Sequence, residues 1–240
     1  ISEPWDCGGL YKLGDFPSKN TFTWNGHFRD DLRRFWKGDK DTAWNMSDKI
    51  KGTPSIYKED NIFPKSINFI TSHDGFTLKD LVTFNRKHNF ANREQNRDGD
   101  NHNNSWNHGT EGPTTNLLIN DLRKRQQKNL ILSLLISKGV PMILMGDEIG
   151  RSQGGNNNSW CQNNLLGWMN WEHGQQDLEL LEYFKYVIKI RKKLINIFNP
   201  SSFLNKQTNE NIPKYHWHGT KLDSPDWSSW SHTVAFSINK

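Results

Sequence analysis

Apolar residues recur along the chain at two periods, and the alternation between those periods predicts the elements. Phe28, Leu32, Phe35 and Trp36 fall at helical spacing, although a short strand could begin at His27. A second short helix is expected from Asp41 as N-cap to about Lys51, where Gly52 and Pro54 stop it. Ile67, Phe69 and Ile70 form a compact bulky run after Pro64, which reads as a buried strand. The run stops at Thr71-Ser72-His73-Asp74-Gly75, and Phe76–Lys87 then reads as at least half helical. From Asp121 to Lys138 the positions of Leu130, Ile131, Leu134 and Leu135 predict a largely buried helix, with Gly139 as its C-cap. Val140–Met145 reads as another apolar strand and delivers Gly146-Asp147-Glu148 at its end. A last helix is expected over Asp177–Ile195, with Leu181, Phe184, Val187 and Ile188 on its core face.

Strand, helix, strand and helix in this order imply parallel strands with crossover helices, an α/β fold. Beyond Pro200 short aromatic stretches and turns take over, which suggests an antiparallel β domain. In a parallel barrel the C-terminal strand ends carry the chemistry, so His73 and Asp74 are candidates, as are Asp147 and Glu148. An Asp-Gly pair after a strand is also an ordinary turn. Glu3, held extended by Pro4, could likewise end a strand.

Composition changes this picture modestly. The net charge of +5 is spread over interleaved acids and bases, and clusters such as Lys124-Arg125 and Arg191-Lys192-Lys193 read as solvated helix faces. No nucleic-acid or membrane partner is therefore expected. Eleven Trp beside many Asn suit a sugar-binding surface, since indole stacks on pyranose faces and amides bond hydroxyls. Cys7 and Cys161 are too far apart in sequence for metal-type spacing and are expected as free thiols. The polar stretch 88–116 is too long for an ordinary connection and reads as functional or disordered. Within it, Asp98-Gly99-Asp100 opens like a calcium loop, but Asn103 and Gly109 stand where glycine and glutamate are needed, so an EF-hand is rejected. The sequons at Asn45, Asn103 and Asn157 would matter only in a secreted protein. With Ile1 first and a strand-like Thr233–Ile238 last, the sequence reads as a piece of something longer.

Four stretches in order carry a resemblance: Glu3-Pro4-Trp5-Asp6, Ser72–Leu78, Gly139–Met142 with Gly146-Asp147-Glu148, and Gly155–Gln162. Together they resemble the isoamylase-type glycogen and starch debranching enzymes of the α-amylase superfamily, from Ile1 to about Phe198. The resemblance implies the C-terminal part of a (β/α)8 barrel over 1–198 and the start of a β-sandwich domain over 199–240. It implies Glu3 as the catalytic acid/base, Asp74 as the stabiliser of the transition state, and His73 with Trp5 as contacts to sugar. The attacking aspartate of such enzymes has no counterpart here and would lie upstream of Ile1, so these residues alone are expected to be inactive. Glu3 would need a raised pKa, through burial or a neighbouring charge, to protonate a leaving oxygen. No cofactor or metal is implied. The implied partner is a branched α-glucan (glycogen, amylopectin or limit dextrin), and the implied compartment is bacterial cytoplasm or plastid. Another α-glucan hydrolase of the superfamily, such as a trehalose-releasing one, and a non-catalytic glucan-binding subunit remain open alternatives.

Overall fold

A computed structural model describes residues 1–16, 21–57, 65–172, 174–194 and 214–239. They form two compact units, one from Ile1–Phe69, Ser133–Met142 and Lys189–Lys240, the other from Ile70–Leu132 and Ile143–Ile188.

The first unit is built on a parallel sheet in the order β1 (Thr23–Trp24), β2 (Ser66–Asn68), β3 (Val140–Pro141). Thr23 pairs with Ser66 and Ile67 with Val140, so the parallel arrangement expected from the strand–helix alternation is present. Ser2 joins by a parallel bridge to Thr23, its N–H donating to Phe22 and its carbonyl accepting from Trp24. Helix α1 (Gly26–Lys37) starts earlier than its apolar pattern indicated, because the buried Asn25 caps it by accepting from the Phe28 N–H at 2.9 Å. The Asn25 amide also donates to Thr53 and Ser66, which fixes the helix start to β2. Phe28, Leu32 and Phe35 are buried along one stripe, contributing roughly 1.5–3 kcal/mol each.

Helix α2 (Ala43–Ile50) corrects the expected cap: Asp41 sits at φ +60° outside the helix, and Thr42 occupies the capping position. The Asp41 N–H donates to the Ser229 carbonyl and Trp44 packs edge-on against Trp227, which ties α2 to the segment after 214. That segment holds an antiparallel pair, β4 (Lys214–His218) and β5 (Ala235–Asn239), as expected from its aromatic alternation. The domain boundary expected between 198 and 199, like Pro64, Ile195 and Pro200, lies outside the described residues.

The run 140–145 corrects a second expectation. It forms a strand of only two residues, and Val140, Ile143 and Met145 are exposed. Proline lacks the N–H a ladder needs, and among the described residues β3 has a hydrogen-bonded neighbour on one side only. Arg191 corrects a third. It lies in the last helix, α6 (Gln175–Lys193), and was expected on a solvated face with Lys192 and Lys193. The two lysines are exposed, but Arg191 is buried and donates to the carbonyls of Leu135, Ser137 and Gly139. Leu180, rather than Leu181, is the buried leucine near the start of this helix, with Phe184 and Val187.

In the second unit the helix expected over 76–87 shortens to four residues, α4 (Leu78–Leu81). The carbonyls that a longer helix would use are taken by the following loop: Trp106 N–H donates to Leu81 and Gly112 N–H to Thr83. The long helix α5 (Leu117–Ile136) begins four residues before Asp121, since the Asn116 side chain accepts from the N–H of Leu118 and Ile119. Leu117 and Leu118 are exposed, so no apolar period marked that turn. Among the described residues no helix is long and apolar enough to cross a membrane.

Candidate active site

Glu3 follows Ser2, the residue that bridges to β1, so it stands at the C-terminal end of a strand position as expected. Its side chain is exposed. The burial expected around it is not supplied by the described residues, because Pro4 leads the chain into a small hairpin. There Lys12 N–H donates to the Pro4 carbonyl and Asp6 N–H to Leu10. Asp6, the neighbouring carboxylate, is committed to that hairpin by accepting from the N–H of Gly8 and Leu10. Trp5 is half-buried, stacked on Tyr11 at 6.0 Å and edge-on to Trp24.

His73 and Asp74 belong to the second unit and lie at the exposed tip of the turn after β2. Imidazole Nε2 and the Asp74 carboxylate are 3.6 Å apart, with side-chain exposures of 64% and 77%. Everything beneath the tip is buried: Phe69, Ile70, Thr71, Ser72, Phe76 and Thr77. The peptide joining Asp74 to Gly75 is held at both ends. The Ser72 hydroxyl donates to the Asp74 carbonyl at 3.0 Å, and the Gly75 N–H donates to the Asn157 carbonyl at 2.9 Å. Gly75 has φ +108°, a conformation that explains glycine here.

Asp147 and Glu148, the other strand-end candidates, both accept hydrogen bonds from neighbouring groups, Glu148 from the Gly146 N–H at 2.8 Å. The Thr71 hydroxyl and the Leu78 N–H both donate to the Asp147 carboxylate, the first by a short contact and the second at 2.9 Å. Asp147 thus caps α4 and anchors the strand end that precedes His73. Burial pushes its pKa up to about 6, opposed by the Thr71 and Leu78 hydrogen bonds. Asp80, also buried and raised by burial, accepts from the Ser152 hydroxyl at 2.5 Å and the Gln153 N–H at 2.8 Å. The folded-state pKa of Asp147 lies above an ordinary aspartate's, so its contribution favours folding below pH ~4 and is lost as pH rises through 6. The loss is on the order of 3 kcal/mol by pH 7, and Asp147→Asn is expected to abolish that component. Urea unfolding at pH 4.5 and pH 7 checks this; an unchanged pH dependence in the variant would contradict it.

A cavity of about 260 Å³ in the second unit is lined by Lys79, Phe84, Arg123, Lys124, Lys128 and Leu180, among others, but by none of the expected site residues. What sequence reasoning missed is the scaffold of amides behind Asp74. Asn89, Asn92, Asn103, Asn156 and Asn157 are all buried, and Asn92 and Asn156 exchange amide hydrogen bonds. Their density in two loops was the available signal, but asparagine is equally common in exposed turns. Cys7 and Cys161 are free and exposed, as expected.

Over 239 residues the chain is 43% identical to the chloroplastic isoamylase 1 of Oryza sativa, covering 99% of this chain and 29% of that protein. It is 40% identical to the glycogen operon protein GlgX homolog of Mycobacterium tuberculosis, over 100% of this chain and 34% of the relative. The glycogen debranching enzyme of Erwinia tasmaniensis is 38% identical, again over the full chain and 36% of the relative. The chain is a relative of the isoamylase-type debranching enzymes. It spans about a third of the length of these curated relatives. No known family profile matches it. Solved pullulanases share the fold of this isoamylase relative. One from Paenibacillus barengoltzii has a TM-score of 0.65 at 16% identity, covering 98% of this chain and 33% of that one. One from Bacillus acidopullulyticus scores 0.62 at 18% identity, covering 98% and 25%. The fold is thus the mixed α/β fold of pullulanases.

Proposed function

We propose that the protein hydrolyses α-1,6-glucosidic branch linkages in glycogen- or starch-type glucans with retention of configuration. In this reading residues 1–198 are the last part of a (β/α)8 barrel and 199–240 open an antiparallel β domain. The relatives' names, isoamylase and glycogen debranching enzyme, support the reaction class. The observation that carries it is the exposed Asp74, presented on a turn that buried groups hold from below. A fixed anion is what a positively charged oxocarbenium-like transition state requires, since its field needs no rearrangement when the charge develops. Glu3 donates the proton to the leaving oxygen, and His73 and Trp5 contact the sugar. Retention needs an attacking carboxylate roughly 5–5.5 Å from the acid. Asp6 and Asp147 are engaged in turn and cap bonds, and the resemblance to debranching enzymes implies an attacking aspartate upstream of Ile1.

No cofactor takes part. Branched α-glucan is the partner, and bacterial cytoplasm or plastid the compartment.

The test uses the complete protein with glycogen and amylopectin, following new reducing ends and the anomer first released. Linear malto-oligosaccharides appearing first as the α anomer are expected. Tight glucan binding without any release would replace this reading with a non-catalytic subunit.

A further inference from the structure

We propose that Asn89 and Lys87 are positioning residues for Asp74, acting through Asn157 on the peptide that follows the carboxylate. This rests on the catalytic reading of Asp74 given above.

The chain of contacts is continuous and buried. The Asn157 carbonyl accepts from the Gly75 N–H at 2.9 Å, and Asn157 itself is 2% exposed. Its own N–H donates to Asn89 Oδ1 at 2.9 Å, while the Asn89 amide donates back to Asn157 Oδ1 at 2.8 Å. Asn89 thus holds both the main-chain N–H and the side-chain amide of Asn157, the residue whose carbonyl meets Gly75. The Asn157 amide is further held by Asn103 Oδ1 and the Asp100 carbonyl. Asn89 is fully buried, and its amide also reaches the Asp98 carbonyl at 2.9 Å. Beneath that carbonyl stands the Lys87 ammonium, which donates to the carbonyls of Arg97, Asp98 and Gly99 at 3.2, 2.7 and 3.0 Å. A protein-borne cation thus gathers three carbonyls into one turn, as a bound metal ion does elsewhere. Gly99 closes the assembly: with φ +71°, a Cβ there would lie 2.3 Å from Asn157 Oδ1 and 2.8 Å from Asn89 Nδ2.

The physical argument is one of orientation. Asp74 is exposed, with the His73 imidazole 3.6 Å from its carboxylate, so its direction depends largely on the backbone beneath it. A displacement of about 1 Å at a catalytic group can cost about a hundredfold in rate. Releasing Asn157 frees the Gly75 end of the peptide, and the Ser72 hydroxyl alone then holds it.

The experiment compares Asn89→Ala and Gly99→Ala in the complete protein, each alone and in an Asp74→Asn background. Alone, each is expected to lower kcat about 10–100-fold with KM within about twofold. In the Asp74→Asn background the same change should cost less than about threefold, because the group being aimed has lost its charge. A variant that weakens the fold in general would lower both backgrounds equally, and that result would overturn the proposal. Hydrogen exchange over residues 72–76 supplies a readout independent of activity, since both variants should reduce protection of the Gly75 amide. Unchanged protection overturns the clamp, whereas full turnover by Asp74→Asn overturns the catalytic reading on which it rests.

Discussion

Asp74→Asn is expected to lower kcat and kcat/KM together by about 10²–10³, with KM little changed. Asparagine keeps the shape of the side chain and removes only its charge. The turn beneath is held by backbone and hydroxyl bonds, none of which uses the Asp74 carboxylate, so the fold is untouched. The loss is thus confined to an interaction made mainly in the transition state. A substrate with a leaving group that needs no proton, such as a maltosyl fluoride, separates the two carboxylates. It should restore the first, fluoride-releasing step to Glu3→Gln, with added azide replacing the base-assisted water of the second step, and should not restore Asp74→Asn. Steady-state kinetics on both substrates decide the matter. Normal kcat with a raised KM would make Asp74 a residue that only holds sugar.

Arg191→Ala should produce the largest loss of stability among single changes in the first unit. Three buried carbonyls at the end of α5, those of Leu135, Ser137 and Gly139, depend on one guanidinium at 2.6–2.9 Å. Leaving a buried acceptor unpaired costs about 1–3 kcal/mol, and partial hydration of the vacated space limits the sum to about 3–5 kcal/mol. Burial already lowers the pKa of Arg191, a sign that solvent contributes little there. Arg191→Lys should recover only part of the loss, because the compact ammonium replaces two guanidinium nitrogens held apart by a planar fork. Urea unfolding followed by circular dichroism measures both. A change below about 1 kcal/mol for Arg191→Ala would show that water replaces the guanidinium without penalty.

Arg191 also marks where sequence reading ends. The stripes of α1, α5 and α6 were legible because burial repeats at helical spacing, and Phe28, Leu130 and Phe184 all face their cores. Parallel pairing followed from the order of elements. A single buried cation on an otherwise solvated face has no period and looks like its exposed neighbours Lys192 and Lys193. The same holds for Lys87, whose partners are main-chain carbonyls that leave no trace in composition. Helix α4 was overestimated because the competing donors lie more than twenty residues away, at Trp106 and Gly112. Of the candidate site, Glu3 and Asp74 were visible as carboxylates at strand ends. The asparagines that hold Asp74 in place were not, since an amide reads as a loop residue whether buried or exposed.

The loop between Lys87 and Asn103 has a consequence for how this sequence can drift. A long polar connection ordinarily absorbs insertions and deletions at little cost. Here Arg93, Gln95 and Asn96 hold positive φ, and amides at 89, 92 and 96 each meet a fixed partner. The segment therefore has a register, as a strand does. One added residue would offset every later pairing at once, so its length should be inherited as strictly as that of the helices.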